Sequence, residues 1–369
     1  MRALARSVTT RRGRRPPPAV LIRRWAVLVA VVAVLVIVIV GAVSSAAPKP
    51  HRAASRHNQS DLTGSSRTKP PATTPSAPHL VATVTHWRLR SPVSRAVVLA
   101  DGSNILVLGG LTTGDVSSAA VERLQPTTGL SGVAGELSIA VHDAAGAVLR
   151  SHFVVFGGGA GTSLASVQSW SPTSSSVVGA LPAARSDLST AAVGPVVYVL
   201  GGFDGQSLQK NVLSTRDGVT FQTTGALAQP VRYGAVASSG NRIWIIGGQL
   251  GTSESSSVGG QTNDIQVFDP ATSTTRVVGH LPEPLGQAMA FDLGGQLYVA
   301  GGQSDGIPSS KIWLIEPSGK TRPAGTLPYA VSNAGAAVTG KTAWLIGGET
   351  AAGPSAPLRT VIKIQAPSG

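Results

Sequence analysis

The chain has 369 residues and a formal net charge of +13, with 44 glycines, 25 prolines and only 13% charged residues. Eight arginines and no acidic residue lie in the first 24 positions, whereas from residue 81 onward 17 basic residues face 16 acidic ones. This near-neutral remainder argues against nucleic-acid binding, and the absence of cysteine excludes disulfides, thiolate metal ligands and thiol nucleophiles.

Residues 1–24 form a basic tail, and the positive-inside rule predicts that this tail is cytoplasmic. Residues 25–43 follow without a single charge and are rich in Val, Leu and Ile. As a helix this stretch is about 30 Å long, which is enough to cross a bilayer. We therefore predict a transmembrane helix that acts as a signal anchor in the cell membrane, with the rest of the chain outside the cell. A cleaved signal peptide is the alternative, because Ser45, Ala46 and Ala47 supply small residues for cleavage.

Residues 44–81 are rich in Pro, Ser and Thr and contain few large apolar side chains. Such a composition buries too little surface to offset the entropy of ordering, so the segment is predicted to be a disordered linker. The folded domain is then predicted to span residues 82–369.

Within that domain, a short apolar run closed by two glycines occurs six times. The first glycines of successive pairs are 48, 44, 46, 54 and 46 residues apart, which indicates an array of supersecondary units. Glycine at a strand end allows a sharp turn or a positive φ, so these glycines are predicted to be structural. The pairs are Gly109 and Gly110, Gly157 and Gly158, Gly201 and Gly202, Gly247 and Gly248, Gly301 and Gly302, and Gly347 and Gly348.

Each apolar run is predicted to be the second of four strands in its unit. A first strand such as Ala336–Val338 precedes the run across a tight turn. A third strand ends in a turn such as Asp269-Pro270, and a fourth, as in Val277–Pro282, often ends in Leu-Pro. Six such units predict an all-β, six-bladed β-propeller. The segment Thr83–Leu89 is predicted to complete the last blade as its fourth strand, which removes two free edges.

The apolar run with its diglycine, the Asp-Pro turn and the order Leu181-Pro182-Ala183-Ala184-Arg185 together resemble the kelch repeat. The resemblance covers residues 83–369 and implies a kelch-repeat β-propeller of a membrane-anchored bacterial type. It says little about activity. Because no catalytic constellation is found, we predict a non-catalytic module that binds a protein or a glycan at a funnel-shaped mouth.

The loops between strands 4 and 1 and between strands 2 and 3 of a propeller emerge on one face. Polar residues in these loops are therefore the candidate ligand-binding residues, and arginine can bind a carboxylate through two parallel hydrogen bonds. Contacts between blades are the alternative role for the arginines. The candidates are Arg95, Arg185 and Arg232 in 4–1 loops and Asp204, Gln249, Gln303, Asp305 and Glu349 in 2–3 loops.

No cofactor, metal or nucleotide is predicted. Gly335–Thr342 matches the Walker A pattern, but the segment is predicted to be a hairpin between two strands, without the helix that phosphate binding needs. The histidines of the repeat region, at 86, 142, 152 and 280, do not have the spacing of metal ligands.

Two other functions remain open at this point. The first is a carbohydrate-active enzyme similar to the sialic-acid epimerases, whose fold resembles the predicted one. This function requires a cluster of Arg with Glu or His in the central funnel. The second is a structural module of the cell envelope, which would have no ligand-sized pocket.

Overall fold

The computed structural model describes residues 79–252, 260–350 and 356–367. The predicted basic tail, the predicted transmembrane segment and nearly all of the predicted linker lie outside these residues. No helix in the described part of the chain is long and apolar enough to cross a membrane.

The described residues form a six-bladed β-propeller, as predicted. The first strand of the chain, β1 (Val81–Val84), belongs to the last blade. Blade I contains β2 (Val97–Asp101), β3 (Asn104–Leu108), the short β4 (Leu111–Thr112), β5 (Val116–Gln125) and β6 (Leu130–Val141). Blade II contains β7 (Ala145–Leu149), β8 (His152–Phe156), β9 (Ser166–Ser171) and β10 (Ser174–Ala180).

The remaining blades repeat the same antiparallel order. Blade III contains β11 (Ser189–Val193), β12 (Val196–Leu200), β13 (Asn211–Thr215) and β14 (Gln222–Ala226). Blade IV contains β15 (Ala235–Ser239), β16 (Arg242–Ile246), β17 (Asp264–Asp269) and β18 (Thr274–His280). Blade V contains β19 (Met289–Leu293), β20 (Gln296–Ala300), the hairpin β21 (Gln303–Ser304) and β22 (Ile307–Pro308), β23 (Lys311–Ile315) and β24 (Thr321–Thr326). Blade VI contains β25 (Gly335–Thr339), β26 (Thr342–Ile346), β27 (Val361–Gln365) and β1.

Burial of both faces explains why the second strands are continuous apolar runs. In each of β3, β8, β12, β16, β20 and β26, the last four residues are buried. The outer strand β10 is almost entirely exposed by contrast. The core therefore lies between adjacent blades, as where Tyr198 and Leu200 of blade III pack in one cluster with Ile243 and Phe268 of blade IV. The Walker-like segment is the β25–β26 hairpin, as predicted, with Thr339 opposite Thr342.

The closing strand exists but begins earlier than predicted. The pairing of β1 with β27 places Val81 opposite Gln365 and Val84 opposite Ile362, so the predicted bounds Thr83–Leu89 are wrong. The reason is a bend at residues 86 and 87 that interrupts the pairing, with the centres of the Trp87 and Trp344 rings 6.2 Å apart. The predicted start of the domain at residue 82 is also too late, because Leu80 is already buried and donates its N–H to the Ala324 carbonyl at 2.7 Å.

The diglycines are contacts between neighbouring blades. The N–H of the second glycine donates to a carbonyl where the chain passes on to the next blade, as from Gly110 to Val141 (2.8 Å) and from Gly348 to Val93 (3.0 Å). A Cβ on Gly109 or Gly347 would overlap that same carbonyl oxygen. Glycine is therefore required by close approach of backbones as well as by the positive φ of about 65° at Gly109 and Gly347.

Candidate functional site

Six residues, one from each blade, form a closed ring around the propeller axis. Each stands 14 positions before the first glycine of its unit, and each has a left-handed φ between 50° and 57°. The N–H of each donates to the carbonyl of the ring residue in the preceding blade, over distances of 2.8 to 3.1 Å. Non-glycine residues rarely adopt this conformation, and such positions often serve a binding or catalytic site. The axial ring consists of Arg95, Asp143, Asp187, Tyr233, Gln287 and Asn333.

The residue before each ring position pairs with the 2–3 loop of its own blade. Isolated bridges join Ser332 to Glu349 and Arg232 to Gln249, and equivalent bridges occur in the other four blades. These bridges hold the 2–3 loops beside the ring. The floor of the mouth is therefore built from backbone hydrogen bonds, and its side chains vary from blade to blade.

Arg95 is the centre of the first charged group at the mouth. Its Nε lies 3.1 Å from Oε1 of Glu349, and its Nη1 lies 3.2 Å from Oδ2 of Asp143. The Tyr233 hydroxyl donates to the same Asp143 oxygen at 3.2 Å. Glu349 is 5% exposed and also accepts from Ser94 Oγ (2.7 Å) and Asn333 Nδ2 (2.8 Å). Burial lowers the pKa of the Arg95 guanidinium, but Asp143, Tyr233 and Glu349 together raise it above its ordinary value.

Arg232 and Asp187 form the second charged group. Arg232 is 4% exposed, and its Nη1 lies 3.4 Å from Oδ2 of Asp187. The guanidinium carbon also lies 5.1 Å from the centre of the Phe203 ring and 5.3 Å from that of the Tyr233 ring. Burial, followed by repulsion from Asp143, raises the pKa of Asp187 to about 7, although Arg232 opposes this shift.

This raised pKa predicts a pH dependence of stability. Below the unfolded pKa near 4, Asp187 is neutral in both the folded and the unfolded protein, so its ionisation does not change the free energy of unfolding. As pH rises through the folded pKa of about 7, the stability that the neutral side chain contributes is lost. We expect Asp187→Asn to gain stability relative to the wild type between pH 5 and pH 8, by about 1 kcal/mol or more. Urea unfolding of both proteins at several pH values measures this difference, and a constant difference would contradict the assignment.

A cavity of about 390 Å³ opens above the ring over blades I to IV, and we call it the mouth cavity. Its Ser117 hydroxyl lies 2.8 Å from Nδ1 of His142, and its Ser163 hydroxyl lies 3.0 Å from that of Ser186. A smaller cavity of about 120 Å³ is lined by all six ring residues and by the residues that directly follow them. Within the described residues, no three of His, Asp and Glu converge as a metal site. Residues lining the mouth cavity include Arg95, Asp115, Ser117, His142, Asp143, Thr162, Ser163, Ser186, Asp187, Arg232 and Tyr233.

The structure places the predicted candidates in several different environments. Arg95 and Arg232 line the mouth cavity, and Glu349 lies behind Arg95. Gln249 is buried and bridges to Arg232 and to Gln261. Gln303 donates to Gln287 of the ring.

The two predicted aspartates lie in 2–3 loops and are not among the residues that line the mouth cavity. Asp204 accepts from the backbone N–H groups of Ser207 (2.7 Å) and Gln206 (2.8 Å) in its own loop, and these bonds lower its pKa. Asp305 is exposed, with a φ of 48°, between β21 and β22.

Arg185 is not among the residues that line the mouth cavity. It is 2% exposed and donates to the carbonyls of Gly201 (3.2 Å) and Asn211 (3.0 Å). Burial lowers the pKa of its guanidinium to about 10, although Asp204 opposes this shift. The five equivalent positions, two before each ring residue, hold buried aliphatic side chains: Val93, Val141, Val231, Leu285 and Val331.

Because the other blades tolerate an aliphatic residue here, we expect Arg185→Leu to change the free energy of unfolding by less than about 1.5 kcal/mol. Ligand binding at the mouth should be unchanged. Thermal unfolding and a binding assay test both points. A large loss of affinity in a stable Arg185→Leu variant would show that Arg185 takes part in ligand binding.

Sequence reasoning did not identify His142, Asp143, Asp187 and Tyr233 as site residues. For Asp143, Asp187 and Tyr233 the signal was available as a constant distance of 14 residues before each diglycine, and His142 directly precedes Asp143. No side-chain type recurs at that position, so a search for a repeated residue does not find it.

A larger cavity of about 500 Å³ lies at the outer edge of blades I and II. Leu130 and Val133, about 70% exposed, line this outer groove together with Trp170. Its Arg123 is paired with Asp101 at 2.9 Å. The groove lacks the convergence of buried polar groups seen at the axis, so the mouth cavity is the candidate functional site despite its smaller volume.

Fold and site together define a six-bladed β-propeller with a polar, buried ion-pair cluster at its axial mouth. The solved structure of YjhT is similar, with a TM-score of 0.64 and 16% identity. The match covers 75% of this chain and 99% of that one, and at this identity it establishes the fold alone. No protein-family model matches the chain, and no curated protein matches it in sequence.

Proposed function

We propose that this chain is a membrane-tethered, extracytoplasmic propeller of the kelch type that binds a protein or glycan ligand at its mouth without catalysis. The observation that carries this proposal is the mouth cavity of about 390 Å³, in which polar side chains from blades I to IV converge above the axial ring. A concave site with a few fixed polar groups is the usual form of a small-ligand site.

The pairing of the charged groups supports binding over chemistry. Glu349 is buried and accepts from Ser94, Arg95 and Asn333, so its oxygens are engaged within the protein. A general acid or base must instead reach the reacting atom of a substrate. The tether rests on the uncharged stretch at residues 25–43 and the arginines before it.

A glycan array and a pull-down with full-length protein in detergent test the proposal. Thr162 is exposed and lines the mouth cavity, so Thr162→Trp fills the cavity without disturbing an ion pair. Gln206→Trp, on the exposed 2–3 loop of blade III, is the matched control. We expect the ligand to be retained by the wild type and by the control but lost with Thr162→Trp. Retention by all three would contradict binding at the mouth.

A carbohydrate-active enzyme is the second candidate, because the structure brings together the Arg, Glu and His groups that this function requires. Arg95 lies 3.1 Å from Glu349, and Nε2 of His142 lies 3.8 Å from Asp143. Nuclear magnetic resonance of each bound sugar over time separates the two functions. Turnover that disappears in Asp143→Asn would favour the enzyme, and unchanged bound sugar would favour the binding module.

A further inference from the structure

We propose that the group that enters the mouth cavity is an uncharged sugar residue, such as the neutral end of a glycan, and not an acidic one. This inference rests on the proposed binding function and narrows its ligand. It is argued from the charges, the hydroxyl groups and the volume of the cavity.

The guanidinium groups at the mouth are already paired with carboxylates of the protein. Arg95 contacts Glu349 and Asp143, and Arg232 contacts Asp187. An acidic ligand at Arg95 would have to displace Glu349 or Asp143, which would leave that carboxylate buried without its partner. It would also approach a mouth where four carboxyl groups, counting Asp115 at the rim, face two guanidinium groups.

The aromatic rings at the mouth are also occupied by cations of the protein. Arg95 and Arg232 both lie over Tyr233, at 5.9 and 5.3 Å, and Arg232 lies over Phe203. A ligand ammonium group would have to compete with these guanidinium groups for the same rings. The arrangement therefore gives a cationic ligand no advantage at the rings.

The cavity wall instead presents groups that both donate and accept hydrogen bonds. Ser117 with His142 and Ser163 with Ser186 form two such pairs, at 2.8 and 3.0 Å. Sugar hydroxyls likewise donate and accept, so they can insert into either pair without leaving a buried group unsatisfied. A volume of about 390 Å³ is at the small end of ligand sites, which suits one or two sugar rings.

Calorimetric titration of the full-length protein tests the inference. The probes are methyl glycosides of the gluco, galacto and manno series, each as the neutral sugar, the uronic acid and the 2-amino sugar. We expect at least one neutral sugar to bind about 10-fold or more tightly than its uronic acid and its amino counterpart. Ser163→Ala should lower the affinity for that neutral sugar by about 3- to 10-fold. Ser207→Ala, on the next 2–3 loop, should leave the affinity unchanged.

The outcomes separate this inference from the proposed function. A uronic acid or amino sugar that binds as tightly as its neutral counterpart, or more tightly, overturns the inference while binding at the mouth stands. No sugar bound, with a protein ligand still lost in Thr162→Trp, also overturns it and leaves the proposed function intact. If neither a sugar nor a protein ligand binds, both the inference and the proposed function are overturned.

Discussion

Replacement of Arg95 by methionine is expected to lower the free energy of unfolding by about 3–5 kcal/mol, because it removes the shared partner of two buried carboxylates. The side chains of Asp143 and Glu349 are only 7% and 6% exposed, and both contact Arg95 within 3.2 Å. Methionine fills part of the volume but offers neither a charge nor a donor. Ligand binding should be lost as well, since Asp143 and Tyr233 lose their positioning contact.

Urea unfolding of the variant and the wild type measures the stability change. Arg242→Ala is the matched control, because that arginine is 45% exposed and lies 3.7 Å from Asp269. An exposed ion pair of this kind contributes less than about 1 kcal/mol. A loss below 1 kcal/mol for Arg95→Met would show that the mouth cluster is not a tightly coupled, buried network.

Truncation of Leu80 to alanine is expected to lower the free energy of unfolding by about 2–5 kcal/mol. Leu80 is 2% exposed and packs in one cluster with Leu327, Ile362 and Ile364. Leu80 directly precedes β1, the strand that pairs with β27 and closes the ring of blades. Loss of this contact therefore weakens both the core of the last blades and the closure of the propeller.

Val81→Ala is the control for this second prediction, because Val81 is the next residue and is 43% exposed. Val81→Ala should lower the free energy of unfolding by less than about 1 kcal/mol. Equal effects of the two variants would mean that residue 80 does not anchor the closing strand.

The fold could be predicted from the sequence because one physical constraint repeats in every unit. A second strand that is buried on both faces must be apolar, and the glycines after it must allow a neighbouring backbone to approach. The bounds of the closing strand could not be predicted in the same way. Thr83–Leu89 has the composition of a strand throughout, and only the packing of Trp87 against Trp344 shows where the bend falls.

The site was less predictable because its members share a backbone conformation and not a side chain. Arg95 and Asp143 occupy equivalent ring positions in neighbouring blades yet carry opposite charges. Arg185 follows Leu-Pro in the kelch-like order, but it lies two residues before the ring position and is buried against backbone carbonyls of blade III. The geometry of the 4–1 loop, and not the residue type, decides which side chains reach the axis.

Hydrogen–deuterium exchange with and without a saturating ligand tests the central claim most directly, because it locates the ligand on the intact chain. We predict slower exchange in the 2–3 loops that border the mouth cavity, over residues 111–117 and 159–164. The outer groove around Leu130 and Val133 should be unaffected. Protection confined to that outer groove, with no change at the mouth loops, would contradict the assignment of the site.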